Sequence, residues 1–206
     1  MIDKSVTRLS LLRHSITYWN KEHRIQGHAD SNLSPEGILL AKQWEVRLRE
    51  MGFERIVASP LGRVRETVAL INSIMDLPVE FDNNLKEQHW GDWQGATLAE
   101  LKSCHGEELG KQVAAGWDFC PPGGESRHQV YKRSRQAIDR LTTKYPGSHI
   151  LIVCHEGIIK TLVYHLLGRK FLPGEKKVLD SNQMHRLTVQ DATLRIEELN
   201  CWQNRV

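Results

Sequence analysis

The chain has 206 residues, 40% of them apolar and 26% charged, with a formal net charge of +3. That length and balance fit one globular domain over residues 1–206 and exclude a disordered chain. The lysines and arginines are scattered rather than massed, so neither nucleic acid nor a membrane surface is an expected partner. No stretch approaches the roughly 18 consecutive apolar residues of a membrane span, and Met1–Thr7 is too polar to open a secretory signal. Cys104, Cys120, Cys154 and Cys201 are widely spaced without a CxxC pair, so reduced thiols and a cytoplasmic location are expected.

The apolar run Leu9–Leu12 predicts a short buried strand ending at Arg13 and His14. Ser34 and Pro35 then open a helix with Gly37, Ala41, Trp44, Leu48 and Met51 along one stripe, ended by Gly52. A second strand, Arg55–Ala58, leads into a helix expected to be capped by Ser59, with Pro60 first and Arg63 in its first turn. Leu61, Val64, Val68, Ile71 and Met75 make its buried face. Residues 79–81 read as an edge strand. Residues 85–125 then leave the sheet as a lid-like excursion, with Glu87 in its first loop and a Thr97–Glu100 capping box opening a short helix. Ser126 and Gln129 form another capping box, ahead of a helix with Val130, Ser134, Ala137, Leu141 and Tyr145 on one face. The strand His149–Cys154 ends at His155 and Glu156, and apolar pairs recurring every four residues predict a buried helix that stops at Gly168. Met184–Val189 and Leu194–Leu199 close the sheet through a turn near Asp191. Strands alternating with helices predict an α/β fold, a three-layer α/β/α sandwich with a mostly parallel central sheet.

Three strands thus end in a cation-capable side chain at the carboxyl edge of a sheet, where open α/β folds bind ligands. Two arginines and two histidines converging there suit a dianionic group such as phosphate. A neutral His14 imidazole can form a covalent phospho-enzyme, and neighbouring arginines would keep it neutral by like-charge repulsion. Arg13 and Arg63 offer forked donors for phosphate oxygens. His155, if charged, would add to the same positive cradle, and Glu87 could hand a proton to the departing alkoxide. A zinc site is not expected: His155-Glu156 would open an HExxH helix, but the second ligand position is Ile159. Trp117 and Phe119, beside the Pro-Pro-Gly-Gly turn, are expected to form an apolar wall over the leaving group.

Leu12-Arg13-His14-Ser15-Ile16-Thr17-Tyr18-Trp19-Asn20 closely resembles the LxRHGxTxxN signature of the histidine phosphatase superfamily, the phosphoglycerate-mutase-like fold. Gly27-His28-Ala29-Asp30, Ser59-Pro60-Leu61-Gly62-Arg63 through Thr67, Leu85-Lys86-Glu87 with Gly91-Asp92-Trp93-Gln94-Gly95, Pro122 to Ser126, and Val153 to Gly157 are similar to its further blocks. The resemblance implies His14 as the phosphorylated histidine, Arg13, Arg63 and His155 as phosphate ligands, and Glu87 as proton donor. It also implies Asn20 lining the phosphate pocket, with Thr17 and Gly27 near it, and no cofactor. Ser126 matches a motif serine, read here as a helix cap. Three residues depart from the pattern: Ser15 for glycine, Val68 for alanine, and Glu156 for a small residue. The Glu156 carboxylate must point away from phosphate or bind a cationic part of the substrate.

The resulting expectation is a metal-independent hydrolase of a small phosphomonoester, resembling the α-ribazole and broad-specificity phosphatase branch. A cofactor-dependent mutase is the alternative within the same family, though the arginine-bearing insertion typical of mutases is not seen after Glu87. A silent phospho-ligand binder is a remote second class, and a homodimer is compatible with all three.

Overall fold

A computed structural model describes residues 5–202. Among these, six strands form one sheet in the order β3-β2-β4-β1-β5-β6: β1 (Thr7–Arg13), β2 (Arg55–Ala58), β3 (Val79–Phe81), β4 (His149–Cys154), β5 (Met184–Gln190) and β6 (Thr193–Glu198). Neighbours from β3 to β1 pair in parallel; β5 pairs antiparallel with both β1 and β6, so it alone runs against the rest. Alternation along the central strands divides the core into two layers. Leu9, Leu11, Ile150 and Ile152 face α5 (Arg127–Lys144) and α6 (Glu156–Leu166). Leu12, Leu151 and Val153 face α2 (Pro35–Arg49) and α3 (Gly62–Ile71). The three-layer sandwich with a mostly parallel sheet is therefore as expected.

Two helices begin or extend differently from the sequence reading. The cap of α3 is Leu61, not Ser59, because Leu61 is still in extended conformation. The Ser59 hydroxyl accepts the Leu61 N–H at 3.4 Å and meets His155 Nε2 at 2.8 Å, and Arg63 still lies in the first turn of the helix. Met75 lies past the end of α3 but packs beside its core face. The helix of the excursion, α4 (Leu98–Ala114), is 17 residues rather than short, with a kink at His105 and the expected capping box at Thr97. Trp93, Leu101, Leu109 and Phe119 form a small apolar cluster of their own there. Ser126 caps α5 through a complete capping box with Gln129. Among the described residues no helix is long and apolar enough to cross a membrane.

Register is what builds the site. Arg13 stands opposite Cys154, and Ala58 opposite Val153. The next amides continue the ladder, His14 N–H to Cys154 O at 3.0 Å and Ser59 N–H to Val153 O at 3.0 Å. His14, Ser59 and His155 therefore leave three adjacent strands side by side.

Candidate active site

At this edge Arg63 is 1% exposed, and all five of its N–H groups reach protein acceptors. Nε–H donates to His14 Nε2 at 3.3 Å. Nη1 donates to Ala29 O and Asp30 Oδ1 at 2.9 and 2.8 Å, and Nη2 to Gly27 O and His155 Nδ1 at 2.8 and 3.2 Å. Asp30 also accepts the backbone N–H of Gly62 at 2.6 Å, tying the start of α3 to the loop before α2. Gly27 supplies its carbonyl from a φ of +55°, and a Cβ there would lie 2.4 Å from Gln94 Oε1. Only glycine meets both conditions.

The two histidines receive opposite ends of this guanidinium. His14 Nδ1–H donates to Ser15 O at 2.7 Å, which fixes the tautomer and leaves the Nε2 lone pair toward Arg63. Burial, then the charges of Arg13 and Arg63, hold its imidazole well below the ordinary histidine range. His155 is fully buried, 5.3 Å from the His14 ring, and is held between Arg63 and Ser59 Oγ at 2.8 Å. Burial and Arg63 push its pKa down as well, so the free protein carries a neutral ring there, not the cation considered from the sequence.

Ser15 does not take the left-handed backbone that would demand glycine. Its N–H donates to Thr67 Oγ1 at 3.1 Å and its hydroxyl to Gly37 O at 2.7 Å, so the side chain turns away from His14. Glu156 finds its cations within the chain. Arg13 Nη1 donates to Oε2 and Lys160 Nζ to Oε1, each at 2.7 Å. Burial raises the Glu156 pKa, but Arg13 and Lys160 outweigh it and the net shift is downward. Arg13 Nε is buried with no partner among the described residues.

Glu87 reaches the same edge from the loop after β3. Its carboxylate accepts the N–H of Gln88 at 2.8 Å and that of Gly157, in the first turn of α6, at 3.3 Å. The loop is clamped from behind by Arg133, which donates to the carbonyls of Asn84, Lys86 and Glu87 and to both oxygens of Glu125, all within 2.9 Å.

These groups open onto a cavity of about 660 Å³. Arg13, His14, Asn20, Gly27, Arg63, Glu87 and Glu156 line it; His155 stands behind Arg63. Asn20 sits on the wall while its side chain completes the capping box of Thr17 at α1 (Tyr18–Lys21). Trp117 does not line the cavity. Its ring packs on His128 and Phe171 and its Nε1–H donates to Arg169 O at 2.7 Å, while Phe119 is buried in the cluster under α4. The apolar wall belongs instead to Trp90, Tyr164, Phe171 and Leu172. Among the described residues no group of three His, Cys, Asp or Glu side chains is arranged to hold a metal ion.

The model of the histidine phosphatase superfamily (branch 1) matches residues 9–201. The chain belongs to that superfamily. It is 35% identical over 175 residues to a glucosyl-3-phosphoglycerate phosphatase of Mycolicibacterium vanbaalenii, a match covering 79% of this chain and 75% of that protein. It is 35% identical over 159 residues to a probable phosphoglycerate mutase GpmB of Erwinia tasmaniensis, covering 77% and 74%. The structure of an α-ribazole phosphatase from Shigella flexneri superposes with a TM-score of 0.81 at 26% identity, covering 94% of this chain and 96% of that one. Asp30, Ser59, Thr67 and Glu125 lie inside the sequence blocks that carry the family resemblance, but their anchoring roles emerge only from the side-chain geometry. Arg133 lies in none of the blocks; its one sequence signal is an arginine next to the buried Ser134 on α5.

Proposed function

We propose that the protein hydrolyses a small phosphomonoester through a phosphohistidine on His14, without a metal ion. The observation that carries this reading is the fixed tautomer of His14: a neutral, buried ring whose Nε2 lone pair lies beside two arginines on the wall of a cavity. Nε2 attacks phosphorus, the ester P–O bond breaks, and Glu87 protonates the departing oxygen. Water then attacks the phosphohistidine, giving up a proton to Glu87 and releasing inorganic phosphate and free His14.

Arg13 and Arg63 supply the positive field for the transferred group, and Asn20 and Gly27 shape its pocket. His155 acts from behind as a neutral ring: its Nδ1 accepts the Arg63 Nη2–H at 3.2 Å and so holds the guanidinium toward the transferred group. Glu156 orients Arg13 rather than meeting substrate. The similarity to a probable mutase supports a second reading, in which the phosphoryl group passes to a sugar acid.

Rapid quench with a radiolabelled phosphomonoester tests both readings. An acid-labile adduct on His14 that decays to inorganic phosphate is the expected result. Transfer of label chiefly to added phosphoglycerate selects the mutase, and a turning-over enzyme with no adduct overturns the covalent step.

A further inference from the structure

Five arginines and lysines line the cavity: Arg13, Arg24, Arg63, Arg127 and Lys160. Four are ion-paired, Arg13 and Lys160 with Glu156, Arg24 with Glu22, and Arg63 with Asp30. Arg127 pairs with no carboxylate among the described residues. Its one side-chain hydrogen bond among the described residues runs from Nη1 to Gly116 O at 2.8 Å. Its guanidinium carbon lies 4.2 Å from the Phe119 ring centre and 4.6 Å from that of Phe171.

This is an expensive place for a cation. Burial without a countercharge lowers the Arg127 pKa to about 10, so the group is still charged at neutral pH. It is the first residue of α5, where the helix dipole favours an anion. Stacking on two rings offsets part of that cost, but a methionine would fill the slot without burying a charge. The other acids on the cavity are engaged elsewhere. Glu156 holds Arg13 and Lys160, Glu87 takes the amides of Gln88 and Gly157, and Glu175 takes those of Lys170 and Leu172. What remains is a positive group, oriented by two aromatic rings, with Nε and Nη2 making no hydrogen bond among the described residues, on the wall that also carries Trp90 and Tyr164.

We infer that Arg127 is a specificity residue that binds a second anionic group, carboxylate or phosphate, on the part of the substrate that is not transferred. The inference rests on the phosphomonoesterase reading above and narrows its substrate class to esters carrying two anions.

The test uses matched pairs that differ by the second anion. These are 3-phosphoglycerate against glycerol 1-phosphate, 6-phosphogluconate against glucose 6-phosphate, and fructose 1,6-bisphosphate against fructose 6-phosphate. The wild-type enzyme is expected to favour the anionic member by about 10-fold or more in kcat/KM in at least one pair, the scale of one charge-assisted contact. A preference in the first two pairs identifies a carboxylate, and in the third a phosphate. Arg127→Met should bring that ratio to about one, chiefly through KM, while Arg127→Lys keeps part of it; Arg127→Gln serves if the methionine variant does not fold. Ratios near one in the wild type, or a ratio that survives Arg127→Met, overturn the inference. Failure of all six esters and of p-nitrophenyl phosphate would instead overturn the phosphomonoesterase reading itself.

Discussion

Arg63 and Arg127 share one cavity and are built in opposite ways. Arg63 has every N–H group fixed by protein acceptors that come from strand ends and from the loop before α2. Arg127 has one such bond and is otherwise held by ring faces from the excursion and from the segment after α6. The first end of the cavity is pre-organised by the sheet, so its geometry does not depend on what is bound. The second end is set by loops and leaves donors open. On the function proposed above, a site made this way separates chemistry, fixed at one end, from choice of substrate at the other.

The sharpest way to break this division is at His14. His14→Ala should lower turnover by at least ~10⁴-fold with every substrate alike, the scale seen for loss of a covalent nucleophile. Retained activity in steady-state assays would remove the chemical end from this cavity altogether.

Arg133 tests whether the acid loop belongs to the fixed end. Arg133→Met removes five hydrogen bonds that hold the carbonyls around Glu87 and the Glu125 carboxylate. It should reduce kcat by about 10- to 100-fold with a smaller change in KM, the signature of a misplaced acid. A rise in KM alone would mean that the loop shapes binding and not proton transfer.

Trp117 probes the framework of the second end. Because it packs on His128 and Phe171 rather than facing the cavity, Trp117→Ala should cost about 2 kcal/mol of stability in urea denaturation. Substrate ratios should stay unchanged. A selective loss toward bulky esters with no change in stability would put Trp117 back on the wall.

A smaller effect follows from the buried histidines. His185 is held at a pKa of about 4 by burial, and burial is also the first cause of the depressed values of His14 and His155. Each binds a proton more readily in the unfolded chain, near 6.5, than in the folded one. Their contribution is therefore complete above that value and is lost as pH falls below it, for His185 down to about 4. The urea midpoint should drop between pH 7.5 and pH 5, and a flat or rising midpoint would contradict the neutral rings. The smallest expected change is none: prolonged EDTA treatment should leave kcat as it was, and loss restored by a divalent ion would show a metal role that the arginines do not fill.

The fixed end was legible in the sequence because strands carry their own markers. Leu9–Leu12, Arg55–Ala58 and His149–Cys154 are short apolar runs, and parallel pairing sets their ends level, so Arg13, His14 and His155 could be placed without coordinates. The site's supporting contacts were less legible. Asp30 and Ser59 act through side-chain hydrogen bonds across many residues, which no periodicity encodes. The loop-built end was the least legible. Trp117 and Phe119 are close in sequence to the cavity wall yet do not form it, because each packs into a different aromatic group, Trp117 on His128 and Phe171 and Phe119 on Trp90 and Trp93. The wall came instead from Tyr164 and Phe171, which periodicity and spacing gave no reason to single out.

Gly157 carries one more consequence. A Cβ at this position would lie 2.3 Å from Glu87 Oε1, so the acid and the first turn of α6 touch only because a side chain is missing. Positions 87 and 157 are therefore not free to drift separately in descendants of this gene. A side chain at 157 would oblige the flexible end of Glu87 to swing off the Gly157 amide and carry its carboxylate away from its present place. The glycine, itself on the cavity wall, thus leaves the room in which the carboxylate lies.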